Sequence, residues 1–335
     1  MKRRLGRTSL ELSPVGLGGV PLGEIYRTVP EPQARATLEA AWDAGIRYYD
    51  TSPWYGRGLS ELRFGSMLRQ QPRQDFVLST KVGRTFHRPQ DPSIFKGAFW
   101  KGGLSFEHRF DYTYDGIMRS YDQSLMRLGL NTIDLLLIHD LDVAEIGSDD
   151  LVKQYFTDLE RSGWRALETL RHYGEIAGIG AGVNIMGTIP EFLRRFELDF
   201  FLVAMPYTLL DQAPLDHEFP LCEERGVGVV IGSPFASGIL ATGASASEPQ
   251  YNYLPAPPAM LDKVRRIEKL CVDFGVPLKA AAYQFPLRHK IVASVVSGAD
   301  TPEMARENAG LVDIEIPNEF WSALRDQGLV HSLSP

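Results

Sequence analysis

The chain is poor in cysteine, with only Cys222 and Cys271 in 335 residues. That count excludes a disulfide framework and a cysteine-built zinc site, and it fits a reducing compartment. Its seven histidines show no H-x-H or H-E-x-x-H spacing, so the sequence offers no metal site of those kinds. Asp140 and Asp142, beside His139, read as polar pocket lining. No apolar run approaches the length needed to cross a bilayer. The basic start, Lys2-Arg3-Arg4, is not followed by the apolar stretch of a signal peptide. A cytoplasmic location and no membrane partner are therefore expected. A formal net charge of -7 argues against nucleic acid as a partner. A complete dinucleotide fingerprint is also lacking. Pro21 stands where Gly16-Leu17-Gly18 would need its third glycine, and Val183 stands there after Gly178-Ile179-Gly180.

What the chain does have is 44% hydrophobic residues, ample for a core, arranged in a repeated alternation. Short apolar runs, β-branched and flanked by glycine, occupy residues 15–20, 46–50, 76–81, 134–138, 177–182, 199–204, 227–231 and 291–296 and read as strands. Helical stripes lie between them. Ala34, Leu38, Ala41 and Trp42 share one face, with Pro32 near the start and Gly45 past the end. Ile117, Tyr121, Leu125 and Leu128 form the next, closed by Gly129. Ala166, Leu167 and Leu170 are closed by Gly174. Leu261, Val264, Ile267, Glu268 and Cys271 are closed by Gly275.

Strand and helix alternating without a composition break point to a single-domain α/β protein spanning residues 1–335, a closed (β/α)8 TIM barrel. An open doubly wound sheet is the alternative, and the broken glycine fingerprints weigh against it. Residues 85–111, rich in aromatics, and residues 243–258, rich in Ser, Ala and Pro, are long loops expected on the C-terminal face, the first as a substrate lid.

In such a barrel the strand ends face one pocket. Asp50 ends the second run, Lys81 the third, and His139 follows the fourth, while Tyr55 lies just beyond Asp50. A carboxylate, an ammonium, an imidazole and a phenol would then converge. A phenol is a poor base near neutrality. An adjacent ammonium is expected to lower its pKa, the carboxylate to hold that ammonium, and the imidazole to orient a substrate oxygen.

The segments Asp50…Tyr55-Gly56…Glu61, Ser79-Thr80-Lys81 and Leu137-Ile138-His139 resemble the aldo-keto reductase family, and the likeness runs from Leu5-Gly6-Arg7-Thr8 to Glu307-Asn308. The resemblance implies a catalytic tetrad of Asp50, Tyr55, Lys81 and His139, with Trp54, Tyr55 and His139 contacting substrate. It implies a nicotinamide cofactor held by Gly19, Asp50, Asn184, Ser233, Phe235, Ser237, Gly238, Gly298, Ala299, Asp300, Glu307 and Asn308. Asn184 matches the family's nicotinamide-binding asparagine, 232–240 its pyrophosphate segment, and Glu307-Asn308 its adenine-contacting pair.

The chain departs from the family pattern at Gly232, where many members carry a nicotinamide-stacking tyrosine, and near Ala204, where many carry glutamine. Members that use NADPH typically place Lys, Ser and Arg where this sequence has Gly298, Ala299 and Met304. A phosphate dianion needs such cations. NAD is therefore expected over NADP, with Asp300 accepting from ribose hydroxyls. Tyr207 to Gln212 and Ser233 to Leu240 are most similar to the aldose dehydrogenase branch. That likeness implies oxidation of a hemiacetal hydroxyl to a lactone, on an aldose such as L-fucose or a D-threo-aldose, or alternatively on pyridoxal. Two rivals are a general aldehyde and ketone reductase and, outside enzymes, a cofactor-sensing regulatory subunit. The oligomeric state is not legible in the sequence.

Overall fold

The computed structural model describes every residue except Met1, Tyr26, residues 96–98 and Met205, with Pro92 and Ile94 described by their backbone alone. Eight parallel strands close into a barrel in chain order. They are β1 (Val15–Gly18), β2 (Tyr48–Asp50), β3 (Val77–Val82), β4 (Leu135–His139), β5 (Gly178–Val183), β6 (Phe200–Ala204), β7 (Gly228–Gly232) and β8 (Val292–Gly298). All eight predicted runs become strands. From β2 on, each begins one or two residues later than the apolar run does. The first residue of most runs pairs in the turn beneath the barrel, as Asp199 does when its carboxylate accepts from Ile179 N.

Both faces of each strand are covered, which is why the strands read as unbroken apolar runs. Leu135, Leu137, Phe200 and Leu202 point into the barrel, while Leu136, Ile138, Phe201 and Val203 pack outward under the helices. Gly180 makes room for the interior, since a Cβ there would lie 2.6 Å from Phe200 Cζ. A hairpin of Arg3–Arg4 and Glu11–Leu12 carries Leu5 and Leu12 into the same inner cluster and closes the N-terminal end.

The expected helical stripes sit on helices Glu31–Asp43, Tyr114–Leu128, Trp164–His172 and Pro258–Phe274, and their apolar residues pack on the outer core. The last of these is an extra helix. The one leading directly into β8 is Leu278–Leu287, whose alanine-rich sequence carries no amphipathic stripe because Ala280, Ala281, Ala282, Tyr283 and Phe285 are all buried. Among the described residues, no helix is long and apolar enough to cross a membrane.

Neither long loop is structureless. Residues 85–111 contain an antiparallel hairpin of Arg84–His87 and Glu107–Phe110. Within 243–258, Gln250–Tyr251 pairs with Leu254–Pro255.

Candidate active site

Parallel register aligns the chemistry at the C-terminal mouth. Asp50 pairs with Ser79, Lys81 with Leu137 and His139 with Gly182. Lys81 Nζ donates to Asp50 Oδ2 at 2.7 Å and to the Thr51 carbonyl at 2.8 Å, while Ser79 Oγ donates to Asp50 Oδ1 at 2.7 Å. Lys81 Nζ lies 4.7 Å from the centre of the Tyr55 ring, and the Tyr55 and His139 rings meet edge-on at 5.9 Å. The four residues singled out in the sequence thus come together. Glu61, fully buried, accepts from Thr80 Oγ1 and Arg127 Nε at 2.6 Å each, tying β3 to the helices behind it.

The electrostatics correct one expectation. The Tyr55 phenol is held well above its ordinary pKa, first by burial, then by the carboxylates of Asp50 and Asp140 and by Tyr253; the cation that opposes this is Arg84. Lys81 does not dominate the phenol because it spends two donors on Asp50 and Thr51, and a carboxylate at 2.7 Å largely cancels its field at longer range. His139 is held far below its ordinary pKa by burial, then by Arg84 and Lys81.

Arg84 and Asp140 complete this network. Arg84 Nη1 lies 2.9 Å from His139 Nδ1, and Arg84 Nη2 donates to Glu145 at 2.7 Å and to Asp140 Oδ2 at 3.2 Å. His139 Nε2 is 3.1 Å from Asp140 Oδ2, and Asn184 Nδ2 donates to Asp140 Oδ1 at 2.8 Å. Asp142 caps the short helix Val143–Ile146 by accepting from Glu145 N. No sequence signal marks Arg84. It opens a long loop, where an arginine ordinarily reads as solvated, yet it is fully buried between Trp54 and Phe110.

The 85–111 loop roofs the site. Trp100 meets Trp54 edge-on at 5.8 Å and the Tyr55 ring at 6.1 Å, and His108 packs on Trp54 at 4.6 Å. Burial, with Arg84 and Arg57 nearby, lowers the His108 pKa to about 4. Arg57 anchors the loop by donating to the carbonyls of Leu104 and Gly102 at 2.6 and 3.0 Å. The described parts of the loop expected as a lid thus pack over the site. The second loop arrives from the other side, where Tyr253 N donates to Ser237 Oγ at 3.0 Å.

The residues assigned to the cofactor divide into two groups. Gly19 donates to the Asp50 carbonyl at 2.8 Å, and Asn184 flanks His139 through Asp140. Ser233, Ala236, Ser237 and Gly238 turn with positive φ after β7. Phe235 packs on Tyr283, with Lys279 5.9 Å from its ring centre. These stay along the rim of the mouth. Past β8 the picture differs from expectation. Ala299 is fully buried, backbone included, and presents no exposed surface to a ligand. Asp300 does not offer a free carboxylate to a ribose, because Arg27 holds both its oxygens at 2.7 Å. Asn308 is buried and donates to the Gly298 carbonyl at 3.2 Å, bracing the end of β8. Glu307 accepts from Lys279 at 2.6 Å. Gly298 lies close against Pro21, where a Cβ would come within 2.5 Å of its ring.

A sequence profile of the aldo/keto reductase family matches residues 14–327. The chain is 42% identical to the pyridoxal 4-dehydrogenase of Microbacterium luteolum, over 98% of each protein. It is 38% identical to the D-threo-aldose 1-dehydrogenase of a Pseudomonas species, over 96% of this chain and 95% of that one. Among solved structures, the holo form of an aldo-keto reductase from Bacillus halodurans superposes with a TM-score of 0.75 at 26% identity, covering 100% of this chain and 97% of that one. With the barrel and the converging strand ends already described, these matches establish that the chain belongs to the aldo/keto reductase family, whose members are oxidoreductases that use nicotinamide cofactors.

Proposed function

We propose that the protein oxidises the hemiacetal hydroxyl of a cyclic aldose, such as L-fucose or a D-threo-aldose, to the lactone, with NAD as cofactor. The observation that carries this reading is the convergence of Tyr55, Lys81, Asp50 and His139 under an aromatic roof. Tyr55, as phenolate, takes the hydroxyl proton. His139 donates a hydrogen bond to the same oxygen and stabilises the negative charge that builds there. Asp50 and Lys81 hold the floor rigid beneath Tyr55. Trp54, Trp100 and His108 wall off the substrate from water. Among the described residues Trp100 Nε1 is buried with no partner, a donor suited to a substrate hydroxyl.

The donor set fits a nicotinamide dinucleotide. An ionised Asp140 can only accept, so Asn184 turns its Nδ2 toward it and keeps Oδ1 for a carboxamide N–H. The hydroxyls of Ser233 and Ser237 suit phosphate oxygens. When bound, the oxidised nicotinamide supplies the acceptor for the hydride that leaves the hemiacetal carbon. NAD is favoured over NADP because Gly298, Ala299 and Met304 bring no cation, while Arg27 and Lys279 are each paired with a carboxylate. Because cellular NAD is mostly oxidised, this preference goes with the oxidising direction.

A second reading, oxidation of pyridoxal to its lactone, is favoured by the aromatic wall of Trp54, Trp100 and His108, whose rings offer faces and edges to a pyridine ring, and by the 42% identical relative. Both readings end in a lactone. Product identification by NMR tests them together: a cyclic ester from an aldose or from pyridoxal supports the class, and reduction of simple aldehydes with no lactone formed from either would reject it.

A further inference from the structure

Arg84, the residue that joins β3 to the roof hairpin, is among the largest fully buried side chains of the molecule. Its Nη1 lies 2.9 Å from His139 Nδ1. A guanidinium has only donors and keeps its proton in proteins. The contact is therefore a hydrogen bond only if Nδ1 presents a lone pair. On the other side of the ring, His139 Nε2 lies 3.1 Å from Asp140 Oδ2. A ring whose Nδ1 is bare can carry its hydrogen only on Nε2, and the Asp140 carboxylate close by, though not aligned for a hydrogen bond, favours that hydrogen electrostatically. The donor-only partner at Nδ1 therefore leaves a single arrangement of protons on the ring. Ser52 Oγ, 3.1 Å from Nδ1, can adapt to either form and decides nothing.

From this polarity we infer that Arg84, itself held by Asp140 and Glu145, is a positioning residue that fixes His139 as the neutral tautomer protonated on Nε2. The imidazole then serves as a hydrogen-bond donor and Tyr55 alone moves the proton. Asp140 lies beside Nε2 without hydrogen-bond alignment, so the Nε2–H stays available to the substrate oxygen. Arg84 also belongs to the hairpin, through the pairing of Arg84 with Phe110 and the bond from Ser120 Oγ to its carbonyl at 2.9 Å. Seating the roof and setting the histidine are thus the same event. The inference rests on the proposed role of His139 at the substrate oxygen for its consequence, but not for the tautomer itself.

The charged and titratable groups around His139 are Lys81 from β3, Arg84 from the hairpin, Asp140 from its own strand end, Tyr55 from the loop after β2, and Tyr112, whose hydroxyl donates to the His139 carbonyl at 2.8 Å. Lys81 is already neutralised by Asp50. Removing Arg84 therefore takes away the cation that donates directly to Nδ1 and lets the ring acquire a second proton.

The test is nitrogen NMR of the protein labelled in its histidines, with the His139 signal identified by its loss in His139→Gln. The expected spectrum at neutral pH has Nε2 protonated and Nδ1 bare, unchanged down to about pH 6, where an ordinary histidine titrates. In Arg84→Met the ring is expected to take a second proton within reach of neutral pH. Its kcat is expected to fall tenfold or more, the order of losing one transition-state donor, with NAD affinity kept, and Arg84→Lys is expected to recover part of the loss. A wild-type His139 protonated on Nδ1 overturns the inference even if the variant fails to fold, and so does an Arg84→Met spectrum identical to wild type. The NMR result stands whatever the substrate is, so failure of the functional reading would be visible separately as an absence of turnover.

Discussion

Lys81 donates to Asp50 at 2.7 Å with their side chains only 1% and 3% exposed. An ion pair so placed is costly to break from one side, because the remaining charge is buried without its partner, at about 3–5 kcal/mol. Asp50→Asn is expected to lower stability by that order in chemical denaturation and to reduce turnover. The double replacement Asp50→Leu with Lys81→Met removes both charges and is expected to regain most of the stability while leaving turnover lost. Recovery of turnover in the double variant would show that the pair has no part in the chemistry.

Tyr55→Phe removes the phenol placed against both Lys81 and His139. Losing a proton-transfer group costs about 10²–10⁴-fold. That loss is expected in kcat, with NAD affinity within about twofold of wild type, measured by steady-state kinetics and by titration of the cofactor. Because burial and the carboxylates hold the phenol above its ordinary pKa, oxidation is also expected to accelerate as pH rises through the alkaline range.

Asp300 ties down Arg27 beside the position where relatives that use NADPH carry their cations. Replacing Asp300→Ser releases the guanidinium. The efficiency with NADP relative to NAD is expected to rise about tenfold, corresponding to roughly 1.4 kcal/mol. An unchanged ratio in paired kinetic assays would show that Arg27 does not face the ribose.

His108 and His139 resist protonation in the folded chain, His108 down to about pH 4. The unfolded chain, with ordinary imidazoles, therefore binds protons first as pH falls below about 6.5. Stability is expected to decline between pH 6.5 and pH 4, and His108→Gln to flatten part of that decline. Tm measured across the range checks both.

The barrel was legible because strands buried on both faces write themselves as short apolar runs, as 135–138 and 200–203 do. The tetrad was legible because strand ends such as Lys81 and His139 inherit their position from the barrel. Arg84 was hidden for the opposite reason. It lies in a loop, where neither period nor strand end constrains a side chain, and its burial depends on a hairpin whose two strands are about twenty residues apart in sequence. Asp300 was visible, but its pairing with Arg27 was not, because the two lie 273 residues apart in sequence, a distance at which no spacing rule operates.

The most direct measurement of the whole account follows absorbance of the reduced cofactor on adding NAD or NADP with L-fucose, D-arabinose or pyridoxal to wild type and to Tyr55→Phe. The account expects the wild-type protein to reduce NAD with at least one of these substrates, more efficiently than NADP, and the variant to be silent. A clear preference for NADP, no reaction with any of the three, or retained activity in Tyr55→Phe would contradict it.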